Sequence, residues 1–291
     1  RGVGIGRVHA HEPLRGGAVD HRRLVAPAVR VAVLEGCGGE QAAYRLNRIA
    51  LQATSATVRH GDEEYLKLIE RAQSHIAAGD VYQLCLTNQI SLDVSGDSLL
   101  TFLSLRDVNP APFAAYIRMG GVTLISCSPE QFLKVDASRK ISSKPIKGTR
   151  RRDVDPVQDQ ALAEELQNDE KERAENLMIV DLMRNDFGRV AEPDSVMVNK
   201  LFDIESYASV NQLVSTVEAT LAAEESVATA ISAAFPGGSM TGAPKMRAMQ
   251  LIEELEALGS AKGRGAYSGI AGFMTHGGVA DFAMTIRTIV L

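Results

Sequence analysis

FAAYIRMGGVTLISC, residues 113–127, decides the architecture. Two apolar runs, 113–119 and 122–127, flank Gly120-Gly121, and a Gly-Gly pair between such runs signals a hairpin. A second pair of runs, near 131–136 and 141–146, flanks the polar turn 137–140. A third, 265–274 and 279–290, folds around His276-Gly277-Gly278. Between them lie helical patterns. Tyr65, Leu68, Ile69, Ala72 and Ile76 recur at helical spacing, and Gly79 sits where that helix stops. Helices are also expected over 98–107, 157–167, 170–186 and 225–234, and from Pro244 to about 258. Residues 81–92 and 195–202 read as strands, and 207–222 as a mixed segment. Antiparallel hairpins between helices, rather than alternating βαβ units, predict an α+β fold and not a doubly wound parallel sheet.

The composition narrows the class. The chain has 291 residues, 45% hydrophobic and 23% charged, which excludes a disordered chain, a collagen-like one and a disulfide scaffold. No run approaches the ~18 consecutive apolar residues of a membrane helix. The net charge of −5 leaves no electrostatic footprint for nucleic acid or an anionic membrane. Cys37, Cys85 and Cys127 are odd in number and widely spaced, so neither a disulfide framework nor a zinc site is implied, and a reducing cytoplasm fits best. Residues 1–60 hold nine Arg, no Lys and four acids, a balance of +5, against −10 for the remainder. A transit peptide shares that Arg-rich, acid-poor character. The plainer expectation is the remnant of an upstream domain. The start at Arg1 without a Met and the stop at Leu291 inside a strand-like run lead us to expect a piece of a longer product.

Five stretches are unusually polar or glycine-rich for their setting. In Pro145-Ile146-Lys147-Gly148-Thr149, Pro and Gly bracket a lysine in what reads as a stiff loop. Such a lysine can grip an anion or, desolvated, act as nucleophile or base. From the pentapeptide alone, a solvated turn lysine is the better-supported reading. On the 170–186 helix, Glu172 and Glu175 sit one turn apart. They suit Mg²⁺, which takes hard oxygen ligands, although most Glu residues form an ordinary charged face. Asp181 and Asp186 fit caps or internal salt bridges better than ligands. The glycines of 236–245 before a helix opening at Pro244 offer free N–H groups to an anion, without the spacing of a phosphate loop. Gly265-Ala266-Tyr267-Ser268-Gly269 and Thr285-Ile286-Arg287-Thr288 complete the set. An arginine within an apolar strand needs an anionic partner, either a bound carboxylate or a structural Glu. Together these features describe a site for a small polyanion, a dicarboxylate above all.

In this order the stretches resemble the chorismate-utilising enzymes, which include the anthranilate, aminodeoxychorismate, isochorismate and salicylate synthases. The resemblance runs from about Asp62 to Leu291. It rests on GDVYQ (79–83), SPE (128–130), PIKGTRRR (145–152), AENLMIVDLMRND (174–186), GGSMTGAPKMRAMQLI (237–252), RGAYSG (264–269) and DFAMTIRT (281–288). It implies a four-layer α/β/β/α sandwich of two antiparallel sheets around the active site. The organisation it implies is 1–60 as the remnant of an N-terminal subdomain and 61–291 as a chorismate-binding catalytic domain truncated at its C-terminus.

Within the family, isochorismate and salicylate synthases carry a water-activating lysine at the position matched here by Gln83, which has no basic nitrogen. Anthranilate synthases read Pro-Ile-Ala-Gly-Thr where this chain has Lys147, as aminodeoxychorismate synthases do. The resemblance therefore implies the reaction of aminodeoxychorismate synthase component I: amination of chorismate at C4, en route to 4-aminobenzoate and folate. By the same resemblance Lys147 is the nucleophile toward C2, or an electrostatic and basic group, and Glu130 the general acid for the departing hydroxyl. Gly148 and Thr149 contact the substrate, Tyr267 and Arg287 hold the enolpyruvyl carboxylate, and Glu175 is a Mg²⁺ ligand. Ammonia would come from a glutaminase partner, since no Cys here has a nucleophile-elbow context. Gln212 stands where anthranilate synthases have a histidine, which removes a proton donor. The family's later glycine loop and second metal glutamate lie beyond the arginine strand and are not in this sequence, so a crippled metal site is expected. Two alternatives stay open: anthranilate synthase component I, and an inactive chorismate-binding or glutaminase-docking remnant.

Overall fold

The computed structural model describes residues 6–8, 51–256 and 263–291. Cys37, most of the 1–60 segment and the expected helix end at 257–258 lie outside the described residues. The chain divides into two compact units, the first made of 1–61, 88–128 and 286–291, the second of 62–87 and 129–285.

The first unit is a six-stranded antiparallel sheet. Its strands are β1 (Gly6–Val8), β2 (Gln52–Val58), β4 (Ile90–Ser95), β5 (Phe113–Met119), β6 (Val122–Ser128) and β15 (Thr288–Val290), in the order β2-β4-β1-β15-β6-β5. The β5–β6 hairpin pairs from Phe113↔Ser128 to Met119↔Val122. Gly120 and Gly121 make its turn, both at positive φ, as a two-residue hairpin requires. Helix α2 (Ser98–Val108) starts where the Asp97 carboxylate accepts from the Leu99 and Leu100 N–H groups, and Pro110 follows its end.

In the second unit, a seven-stranded sheet orders β10 (Met197–Ser206), β11 (Val210–Thr220), β8 (Lys140–Lys144), β7 (Gln131–Val135), β14 (Ala280–Met284) and β13 (Ile270–Met274), with β9 (Ile146–Arg151) also on β11. A two-stranded ribbon joins β3 (Gln83–Leu84) to β12 (Gly242–Ala243). The helices are α1 (Asp62–Ala77), α3 (Pro156–Asn168), α4 (Glu170–Gly188), α5 (Val227–Ala234) and α6 (Lys245–Glu256). Asp155 caps α3 with Pro156 in its first turn, and Asp169 caps α4 through the Glu172 N–H. On α4, Asn176, Ile179, Val180, Met183 and Phe187 are buried, a helical stripe that packs on β11. Leu213 and Val217 answer from the strand, both without exposed surface.

The α+β expectation with antiparallel sheets holds. Three local expectations do not. Only Gln83–Leu84 and Ile90 onward are strand within 81–92. The backbone between is committed elsewhere, with the Cys85 N–H donating to the Thr241 carbonyl and the Thr87 N–H to Glu256. The mixed 207–222 segment is the long strand β11. Its polar Asn211 and Ser215 are buried because Asp159 and Asn176 satisfy them. The 279–290 run breaks at 285–287 into β14 and β15, which belong to different sheets.

Candidate active site

Lys147 is on a strand, not in the loop expected for it. Ile146 and Thr149 are β-branched and pair with Val214 and Gln212 of β11, with a register shift between the two pairs. Gly148 occupies that irregularity at φ 82°. A Cβ there would stand 2.8 Å from Leu166 Cδ1 and 3.1 Å from Cβ and Cγ of Glu172, so helices α3 and α4 approach too closely for any side chain. A bulge of this kind re-aims its neighbours. Lys147 beside it is half-buried, and has neither a hydrogen bond nor an ion pair among the described residues. Lys140, Lys144, Lys171, Lys200 and Lys245 all face carboxylates. Thr149 is exposed.

Electrostatics gather several candidates around Cys85. Burial holds its thiol above the usual range; Arg264 and Lys147 pull it down, and Glu256 and Glu130 push it up. Burial likewise raises the Tyr267 phenol, with the Cys85 and Glu256 charges adding to it and Arg264 opposing. Glu130, Lys147 and Tyr267 therefore share one neighbourhood in the second unit. Cys85, Arg264 and Glu256 complete it, and the sequence reading missed all three. The signal available was Arg264 itself, inside the quoted RGAYSG stretch and passed over for Tyr267.

Glu130 is 6% exposed and its carbonyl accepts from the Met284 N–H at 3.0 Å. It lines a narrow cleft, together with Ser143, Pro145, Ile179, Met183 and Gly238. Across the ribbon, Gly242 takes φ 139° and a Cβ on it would meet the Gln83 carbonyl oxygen at 2.1 Å, so this glycine is also obligatory. Two carboxamides are incompletely satisfied. Gln83 Oε1 and Gln212 Oε1 are buried without a hydrogen-bond partner, and Gln212 is 1% exposed opposite Thr149.

Among the acids of α4, Glu172 and Glu175 are half-buried, and Glu175 meets only Lys171, at 3.4 Å. Asp181 makes a surface pair with Arg184, whereas Asp186 is buried against Lys245. Among the described residues no group of three or more His, Cys, Asp or Glu converges on a metal position. A donor set of one or two carboxylates still fits Mg²⁺, which keeps most of its sphere for water and substrate oxygens. Arg287 departs from expectation. It is not buried within a strand but exposed between β14 and β15 at φ 49°, without an ionic partner among the described residues. It lies in the first unit, the other site candidates in the second.

The chain belongs to the chorismate binding enzyme family, whose model matches residues 28–291. It is 50% identical over 234 residues to an aminodeoxychorismate synthase of Streptomyces griseus, a stretch covering 80% of this chain and 32% of that protein. Aminodeoxychorismate synthase component 1 of Klebsiella aerogenes is 42% identical over 278 residues, 93% of this chain and 59% of that one. The chain thus spans about a third of the first relative and less than two-thirds of the second. Among solved structures, anthranilate synthase component I from Streptococcus pneumoniae superposes with a TM-score of 0.75 at 33% identity, covering 85% of this chain and 54% of that one.

Proposed function

We propose that the chain carries the chorismate-aminating activity of an aminodeoxychorismate synthase: chorismate and ammonia give 4-amino-4-deoxychorismate and water. The observation that carries this reading is Lys147, half-buried, without a hydrogen-bond or ionic partner among the described residues, and within electrostatic reach of the same thiol as Glu130. A lysine held ready in this way suits covalent catalysis.

The Lys147 amine adds to C2 of chorismate as the C4 hydroxyl departs, taking a proton from Glu130 and leaving as water. Ammonia then adds at C4, the C2–N bond breaks, and Lys147 is released. Glu130 is buried, as a general acid for a leaving hydroxyl needs to be. Gly148 and Thr149 contact the substrate, and Tyr267 holds its enolpyruvyl carboxylate. Glu175 would hold Mg²⁺ in part, and the ion bound there would supply electrostatic stabilisation of the ring carboxylate and of the charge that develops at C4. Gln83, lacking a basic nitrogen, disfavours water as nucleophile. Gln212, neutral at every pH, cannot donate the proton that loss of pyruvate requires, so the enolpyruvyl group stays on the product. The name "component 1" on the Klebsiella relative supports a separate glutaminase that supplies ammonia. A cytoplasmic setting is supported by the odd number and wide spacing of Cys37, Cys85 and Cys127. None of the described helices is long and apolar enough to cross a membrane.

One observation favours a second reading. Anthranilate synthase component 1 of Thermus thermophilus is 41% identical over 270 residues, about as similar as the Klebsiella protein. The deciding experiment is incubation of the purified chain with chorismate, Mg²⁺ and ammonium, with products identified by chromatography and mass. Aminodeoxychorismate supports the proposal. Fluorescent anthranilate as the direct product establishes the second reading, and chorismate bound but not consumed marks a remnant without turnover.

A further inference from the structure

Arg264 has five guanidinium N–H donors, and all five are engaged. Nε donates to Glu256 Oε2 at 2.8 Å and Nη2 to Glu256 Oε1 at 2.5 Å. Nη2 also donates to the Cys85 carbonyl at 2.6 Å, while Nη1 donates to the Met240 carbonyl at 2.6 Å and to Ser268 Oγ at 3.0 Å. Glu256 Oε1 accepts in addition from the Thr87 N–H and hydroxyl, at 2.9 and 3.1 Å. Glu256 is buried and Arg264 largely so, with side-chain exposures of 6% and 13%. One ion pair thus pins four separate pieces of chain: the exit of β3, the 237–241 glycine loop, the end of α6 and the turn carrying Tyr267.

The last of these matters most. Ser268 is a non-glycine residue at φ 63°, a conformation that persists only where the surroundings enforce it. Its N–H donates to the Thr285 carbonyl and its hydroxyl accepts from Arg264, so the residue next to Tyr267 in the chain is held from both its backbone and its side chain. The guanidinium carbon also stands 5.7 Å from the Tyr267 ring centroid. A buried ion pair is not in itself a strong source of stability, since a well-packed apolar pair often does as well. What a rigid, fully engaged guanidinium supplies is direction.

We propose that the Arg264–Glu256 pair is a positioning device for Tyr267: through Ser268 it fixes where the phenol stands, and so sets the affinity for the substrate's enolpyruvyl carboxylate. This rests on the role given to Tyr267 in the proposed function. The test is a double-mutant cycle of Arg264→Lys with Tyr267→Phe. It is read as the chorismate Kd by equilibrium dialysis and as KM and kcat with ammonium, alongside thermal midpoints. Arg264→Lys keeps the charge but lacks the fork. It is expected to weaken chorismate binding about tenfold, and the double variant no further than the weaker single. Losses that multiply, or an unchanged Kd in Arg264→Lys, overturn the positioning role. So does Arg264→Lys weakening binding when Tyr267→Phe does not. If Arg264→Lys does not fold, Glu256→Gln enters the same cycle with the same expected outcomes. A wild-type chain that fails to bind chorismate is recognised before any variant is compared; it overturns the proposed function and the positioning role with it.

Discussion

Lys245 Nζ stands 2.6 Å from Asp186 Oδ2 and 2.9 Å from the Ala234 carbonyl, so the first residue of α6 is tied to the last turn of α4 and the end of α5. Burial outweighs mutual attraction for both members, holding the carboxyl above its usual range and the ammonium below. Removing one partner leaves an uncompensated buried charge. Lys245→Met is therefore expected to cost about 3–5 kcal/mol in urea denaturation, and Asp186→Leu with Lys245→Met together to recover most of that loss. A double variant as unstable as the single would show that the pair is worth more than its desolvation.

Asp159 is the opposite case. The Arg152 guanidinium, with the Asp153 N–H and Asn211, holds its carboxyl down to about 2, from an ordinary 3.8. In that interval the unfolded chain binds the proton and the folded one does not, so stability falls as pH falls through it. Wild type is expected to be more stable than Asp159→Asn at pH 7, with the difference closing between about pH 4 and about pH 2. A difference that is constant across this window would assign the loss to packing.

Gly148→Ala tests the bulge. The left-handed φ and the contacts with Leu166 and Glu172 both oppose a methyl group. The expected cost is at least about 1–2 kcal/mol, with amination falling much further than stability because Lys147 is re-aimed. Activity lost only in proportion to the folded fraction would count against that coupling.

Lys147→Ala is expected to abolish amination with glutamine and the glutaminase partner and to slow it sharply with ammonium, at little cost in stability, since Lys147 is tied to no carboxylate among the described residues. Near-full activity with either nitrogen source would remove Lys147 from the mechanism.

A buried acceptor without a donor costs about 1–3 kcal/mol, so Gln212→Leu is expected to raise the urea midpoint while impairing turnover. A lowered midpoint would show that the Gln212 carboxamide is engaged after all.

Elements whose pattern is local could be read directly. The α4 stripe from Asn176 to Phe187 and the Gly120-Gly121 hairpin both announce themselves within a few residues. The long strand β11 did not, because Asn211, Gln212, Ser215 and Thr216 look like surface residues until their partners, far along the chain, are known. The strand expected over 81–92 failed for a related reason: the Cys85 carbonyl and Thr87 N–H serve Arg264 and Glu256, about 170 residues away or more, rather than a ladder. For the site, motifs single out Lys147, Glu130 and Tyr267, and all three interact electrostatically with Cys85. That Arg287 lies between strands and not within one was not legible, because alternation of apolar residues does not reveal where a chain changes sheets.

The pairing of β15 between β1 and β6 has a consequence for synthesis. The first sheet has strands on both sides of residues 129–285, so it stays open while they emerge from the ribosome. During that interval β6 offers an unpaired edge on the side that β15 later fills, and β1 does the same. Pairings this distant in sequence close slowly. The nascent chain thus passes through a stage in which the second unit can be complete while the first still presents strand edges to any passing chain, which is the stage at which a chaperone has most to protect.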